Sequence, residues 1–173
     1  MIVRNGHTIK NFTLKRGVTM AYRYVVQVGD DALRTKCEEV KKFDGELWAL
    51  LDDMKETVRA EEGAGLAAPQ IGVNLRVVVI DLDEGYFEMI NPKILSFKGE
   101  QKGTEGCLSV KGKYGIVTRP NKVKAEYRDR NGKKHTVTGT GLFARCICHE
   151  FDHLDGILYI DRAEEVFDNG DAK

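Results

Sequence analysis

The stretch LFARCICHEFDHL, residues 142–154, constrains the fold more than any other part of this chain. As a helix it is apolar on most sides, through Leu142, Phe143, Ala144, Cys146, Ile147, Phe151 and Leu154, and Gly156 supplies a stop. A helix of that kind belongs in an interior, so other elements must wrap it. Its polar groups, His149, Glu150, Asp152 and His153, then need partners, because burying them unpaired costs several kcal/mol.

The rest of the chain supplies the wrapping. Residues 43–62 predict an amphipathic helix, with Leu47, Leu50, Leu51, Met54 and Val58 on one face and Gly63 as terminator. Residues 76–82 (RVVVIDL) predict a buried strand from their β-branched run. Residues 86–90, 93–97, 116–119 and 123–127 predict further strands, and Asn131-Gly132 a hairpin turn leading into KHTVTGT. Residues 63–72 (GAGLAAPQIG) read as irregular, being rich in glycine and broken by Pro69. There is no βαβ rhythm, so the expected class is α+β with antiparallel sheets.

At 173 residues the length suits one domain, and 27 basic against 27 acidic residues leave no net charge. That balance argues against bulk binding to nucleic acid, while leaving room for a local basic patch. No run approaches the ~20 apolar residues of a membrane span. Residues 1–19 carry Arg4, Lys10, Lys15 and Arg16 and no acid, without the apolar run of a signal peptide. They are read as an extension or cloning remnant, residues 20–165 as the folded domain, and residues 166–173 as a polar tail, with fraying expected from Ala163 onward. The cysteines, Cys37, Cys107, Cys146 and Cys148, are expected to be reduced thiols in a cytoplasmic protein.

HEFDH, residues 149–153, carries the chemistry. Positions i and i+4 share a helix face, so His149 and His153 can grip one metal ion. Glu150 can then serve as a general base toward water without being a ligand. The bland alternative is a pair of core histidines satisfied by hydrogen bonds. A catalytic site usually has a third protein ligand. The long zinc-protease signature puts a histidine where this chain has Tyr159, with Glu164 or Glu165 as substitutes. Cys107, in EGCLS beside Gly106, is the better candidate; Cys146 and Cys148 compete but are read as core. Gln70 offers an amide N–H₂ for a developing oxyanion.

Together GAGLAAPQ, EGCLS and HEFDHLDG resemble the three motifs of peptide deformylases, in the same order, across nearly all of the chain. The resemblance implies antiparallel sheets packed around a central metal-binding helix. It implies removal of the N-formyl group from the formyl-methionine of new proteins. By position it makes Cys107, His149 and His153 metal ligands and Glu150 the general base and acid. Gln70 and the backbone N–H of Leu108 become oxyanion donors. Gly65 would lie beside the substrate main chain, with Ala64, Leu142, Arg145 and Cys146 forming a methionine pocket. Glu105 and Arg119 become a charge pair holding the Cys107 loop. The implied ion is Fe²⁺ in the cell, replaceable by Zn²⁺, Ni²⁺ or Co²⁺, and the implied partners are formyl-methionyl nascent peptides with a transient ribosome contact. Tyr114 and Ala64 depart from better-known members, which often have arginine and a larger aliphatic residue there. Rival readings are a metalloprotease, a copper redox carrier and a metal-stabilised binding module.

Overall fold

A computed structural model describes residues 21–169. The segment read as an extension, residues 1–19, lies outside the described residues. Eight strands and two helices follow one another as α1 (Gly45–Ala60), β1 (Gly65–Ala67), β2 (Val77–Leu82), β3 (Gly85–Lys98), β4 (Gln101–Cys107), β5 (Val110–Arg119), β6 (Lys122–Arg128), β7 (Lys134–Thr140), α2 (Gly141–Leu154) and β8 (Glu165–Asp168). The strands form two antiparallel sheets, one in the order β1-β2-β3-β6-β7 and one in the order β4-β5-β8. The class is α+β, as expected.

Alternation along the strands decides where each helix sits. In β2, Val78 and Ile80 join Met89, Val123 and Ala125 in the core around α2, which contributes Phe143, Cys146, Ile147 and Phe151. Val77 and Val79 point the other way, toward Leu47, Leu51, Met54 and Val58 of α1. The central sheet is thus covered by α2 on one face and, over β1–β3, by α1 on the other. Asp44 starts α1 by accepting from the backbone N–H groups of Glu46 and Leu47.

Three elements differ from the sequence reading. GAGLAAPQIG contains a three-residue strand, β1, ended by Pro69 in a single-turn helix at Ala68–Ile71. A strand so short has no period to detect, and proline cannot extend its ladder. The two strands expected at 86–90 and 93–97 are one, β3, which passes Asn91-Pro92 as a bulge with Asn91 at φ 49°. Asn91 braces that bulge by pairing its amide with both backbone groups of Val40, each at 2.8 Å. Finally, the chain does not fray from Ala163: Glu165–Asp168 pairs with β5 as β8, and Phe167 stacks on Tyr114 at 5.2 Å.

Both helix ends use the same device. After α1, Glu62 takes the left-handed conformation and the Gly63 N–H donates back to Val58. After α2, Gly156 takes that role at φ 73°, and the Ile157 N–H donates to Asp152. A Cβ at Gly156 would lie 2.6 Å from the Arg34 carbonyl oxygen. Gly156→Ala is expected to lower stability by roughly 2 kcal/mol, read as a lower urea midpoint. An unchanged midpoint would show that the end of α2 tolerates a side chain.

Candidate metal centre and its cleft

On α2, His149 and His153 project from one face, their rings 5.1 Å apart and edge to face. The β4–β5 hairpin brings in Cys107, which pairs with Val110 across a two-residue tip of Leu108 and Ser109. Cys107 Sγ lies 3.3 Å from His153 Nε2, and the thiol and imidazole donors of the three residues all lie within 4.8 Å of one another. All three side chains are buried. That separation suits a four-coordinate ion, whose ligands sit about 2.0–2.3 Å from the metal.

The chemistry of the donors fits as well. Burial alone would keep Cys107 protonated, yet the neighbouring imidazoles pull its thiol well below the ordinary value, toward thiolate. Burial pushes the other three thiols the opposite way, Cys37 and Cys148 up to about 11 and Cys146 higher still. Cys146 and Cys148 are core, as read from the sequence.

Glu105 holds this cluster in place. Its Oε2 accepts from His149 Nδ1 at 2.9 Å, which leaves His149 Nε2 as the free ligand atom. The same carboxylate takes both forks of Arg119 at 2.9 Å and Arg145 at 2.8 Å. Arg119 continues to Asp152 at 2.5 Å, tying β5 to α2. Against the cost of burial, these donors draw the Glu105 carboxyl well below its ordinary value. Tyr159 stacks on His149 from behind at 6.2 Å.

A cleft opens in front of the cluster, lined by Gly63, Ala64, Gly65, Gln70, Gly106, Leu108, Cys146, His149 and Glu150. Gln70 is fixed at both ends of its amide. Its Oε1 accepts from the Ala67 N–H at 2.8 Å, and its Nε2 lies 3.3 Å from both Cys107 Sγ and Ser109 Oγ. Glu150 is buried, its Oε2 has no protein partner among the described residues, and desolvation raises its carboxyl. Gly65 sits against it so closely that a Cβ would fall 2.6 Å from Glu150 Oε1.

Two of the residues named for this site from the sequence are not among those that line the cleft. Leu142 is half exposed at the start of α2, and Arg145 spends its guanidinium on Glu105 and the carbonyls of Gln101, Gly103 and Val117. Neither lines the cleft. The protease alternatives for a third ligand also fail. Glu164 is on the surface with Lys102 and Thr118, Glu165 is in β8, and the metal-capable cluster among the described residues contains neither. Sequence reasoning overlooked Ser109, whose only signal was its place in EGCLS, and left Asp152 without a named partner.

The polypeptide deformylase family model matches residues 22–168. The chain belongs to that family. Its members are metal-dependent hydrolases that remove the N-formyl group from the N-terminal methionine of newly made proteins. A peptide deformylase of Thermoanaerobacter pseudethanolicus is 50% identical over 149 residues, 86% of this chain and 94% of the relative. A crystal structure of the Legionella pneumophila deformylase superposes with TM-score 0.81 at 43% identity, covering 83% of this chain and 87% of that one. A class I type b deformylase from Acinetobacter baumannii, solved with Met-Ala-Ser bound, gives 0.79 at 31% identity, covering 83% and 99%.

Glu105→Gln keeps the shape of the side chain but removes the charge that orients His149. Metal affinity should fall about 10–100-fold, measured by competition with a chelator. Unchanged affinity would mean that the ligands hold their geometry without it.

Proposed function

We propose that this chain hydrolyses the formyl amide of formyl-methionyl peptides with Glu150 as proton carrier, at a divalent ion held by Cys107, His149 and His153. The observation that supports it most is the convergence of three unlike groups on one cleft: a thiol–imidazole cluster, a buried carboxylate with an unpartnered oxygen, and an amide fixed to point inward. When bound, the ion supplies Lewis acidity and lowers the pKa of water.

Glu150 takes a proton from water as the water oxygen attacks the formyl carbon. Negative charge gathers on the formyl oxygen, where the Gln70 N–H₂ and the Leu108 backbone N–H are the proposed donors. The carbon–nitrogen bond breaks, and Glu150 returns its proton to the departing amine. The products are formate and a free amino terminus. Gly65 leaves room for Glu150 and for a peptide main chain alongside it. Ala64, Leu108 and Cys146 give the cleft apolar wall for the methionine side chain, consistent with Met-Ala-Ser in the Acinetobacter relative.

Ferrous iron is the proposed ion, since one thiolate with two imidazoles accepts Fe²⁺ as well as Zn²⁺, Ni²⁺ or Co²⁺. Iron-loaded enzyme should lose activity in air while nickel-loaded enzyme keeps it. The proposed setting is the cytoplasm, with a transient ribosome contact. No described helix is long and apolar enough to cross a membrane.

Formate release from a formyl-Met peptide tests the activity directly. Glu150→Ala should retain metal and lose turnover; loss of metal would make Glu150 a structural ligand. Gln70→Ala should lower kcat by about 10²–10³-fold, and a full-rate variant would remove Gln70 from the reaction.

A further inference from the structure

We propose that the uncovered outer face of the central sheet, carrying Lys93, Lys98, Lys122 and Lys124, is a docking surface for the phosphodiester backbone of RNA. The strand register assembles this face. Lys98 stands directly opposite Lys122, Ser96 opposite Lys124, and Lys93 opposite Glu126. On the other side of β6, Thr140, Thr138 and Thr136 face Lys122, Lys124 and Glu126 in turn. Partners across an antiparallel pair share a face, so these lysines and hydroxyls point one way. Val123, Ala125 and Val137 alternate with them and point into the α2 core. The four lysines are exposed and make no ion pair among the described residues. The strand acids of this face are engaged, Glu126 by Lys134 at 3.2 Å and Glu88 by Arg130 at 2.5 Å.

For a chain with no net charge this is a strong local field. It is also unfavourable within the sheet, because like charges directly opposite each other repel. A row of phosphates relieves that repulsion. Lysines two apart along a strand are about 6.6 Å apart and neighbouring strands about 4.8 Å apart. The result is a flat lattice of cations with hydroxyl donors between them, suited to a phosphate backbone and its sugar hydroxyls. An anionic membrane fits less well. Phe97 and Ile94 pair with Val123 and Ala125 and so belong to the opposite face, which leaves Leu95, at the bulge between them, as the one exposed apolar side chain of β3 beside the lysines, too little for a membrane anchor. Because α2 and the cleft lie across the sheet, bound RNA leaves the cleft open.

The test is fluorescence anisotropy with a labelled RNA hairpin at about 50 mM KCl, rising to about 200 mM. The full chain is used in every arm, because residues 1–19 carry four bases of their own. K98E/K122E/K124E should weaken binding at least about 10-fold and lower the slope of log K against log salt by about 2–3. The control K36E/K41E/K42E makes the same charge change on exposed lysines elsewhere and should bind within about 3-fold of wild type. Formyl-peptide turnover should be unchanged in both, which separates this surface from the active site. Should the charge reversals misfold, K98Q/K122Q/K124Q replaces them, with the same loss expected at smaller size. The proposal is overturned if wild type does not bind the hairpin or if both triple variants lose equally. Preferential binding to phosphatidylserine vesicles through the same lysines would also overturn it.

Discussion

Glu105 is a carboxylate with essentially no exposed surface, and a buried charge of that kind survives only when fully paired. The cluster joins three elements: Glu105 on β4, Arg119 on β5, and Arg145 and His149 on α2. The cluster therefore couples the small sheet to the central helix at the point where Cys107 must meet the histidines. Arg119 adds a second tie through Asp152, which also accepts from Arg162. Breaking such a set by removing one member costs more than the set contributes intact, because the remaining charges stay buried. The ligand geometry and the integrity of the sheet–helix junction thus share one cause.

The same constraint explains what was legible in the sequence. The nearly all-apolar face count of residues 142–154 predicted an interior helix, and its polar residues could then be assigned a task. His149 and His153 were found by helical spacing alone. Cys107 was preferred over its competitors through its glycine neighbour, but its approach to the histidines depends on a β4–β5 register that no local pattern shows. β4 itself, QKGTEGC, has two glycines and no β-branched run beyond one threonine, so pairing with β5 overrides its propensity. The bonding of Arg145 escaped the sequence reading for a related reason. The family resemblance put it in the methionine pocket, while its guanidinium turns to the buried carboxylate, a contact between residues 40 apart. Long-range polar pairing is what single-sequence reasoning sees least.

The cleft is assembled from rigid parts. Gly65 lies on a strand paired to β2, Gln70 on the turn that follows it, Leu108 on a hairpin tip, and Glu150 on the buried helix. Gln70 is held through its oxygen by the Ala67 N–H, so its N–H₂ is oriented before any substrate arrives. Donors fixed in advance need no reorganisation as charge develops, which is where electrostatic catalysis draws its strength. Gly65 keeps backbone close to Glu150, and a side chain there would displace the carboxylate.

X-ray absorption at the metal edge of the active, metal-loaded protein tests the central claim most directly. One sulfur scatterer near 2.3 Å and nitrogen scatterers near 2.0–2.1 Å are expected, with the sulfur lost in Cys107→Ser. A fully active protein whose ion sees only nitrogen and oxygen would contradict the thiolate–imidazole centre and everything built on it.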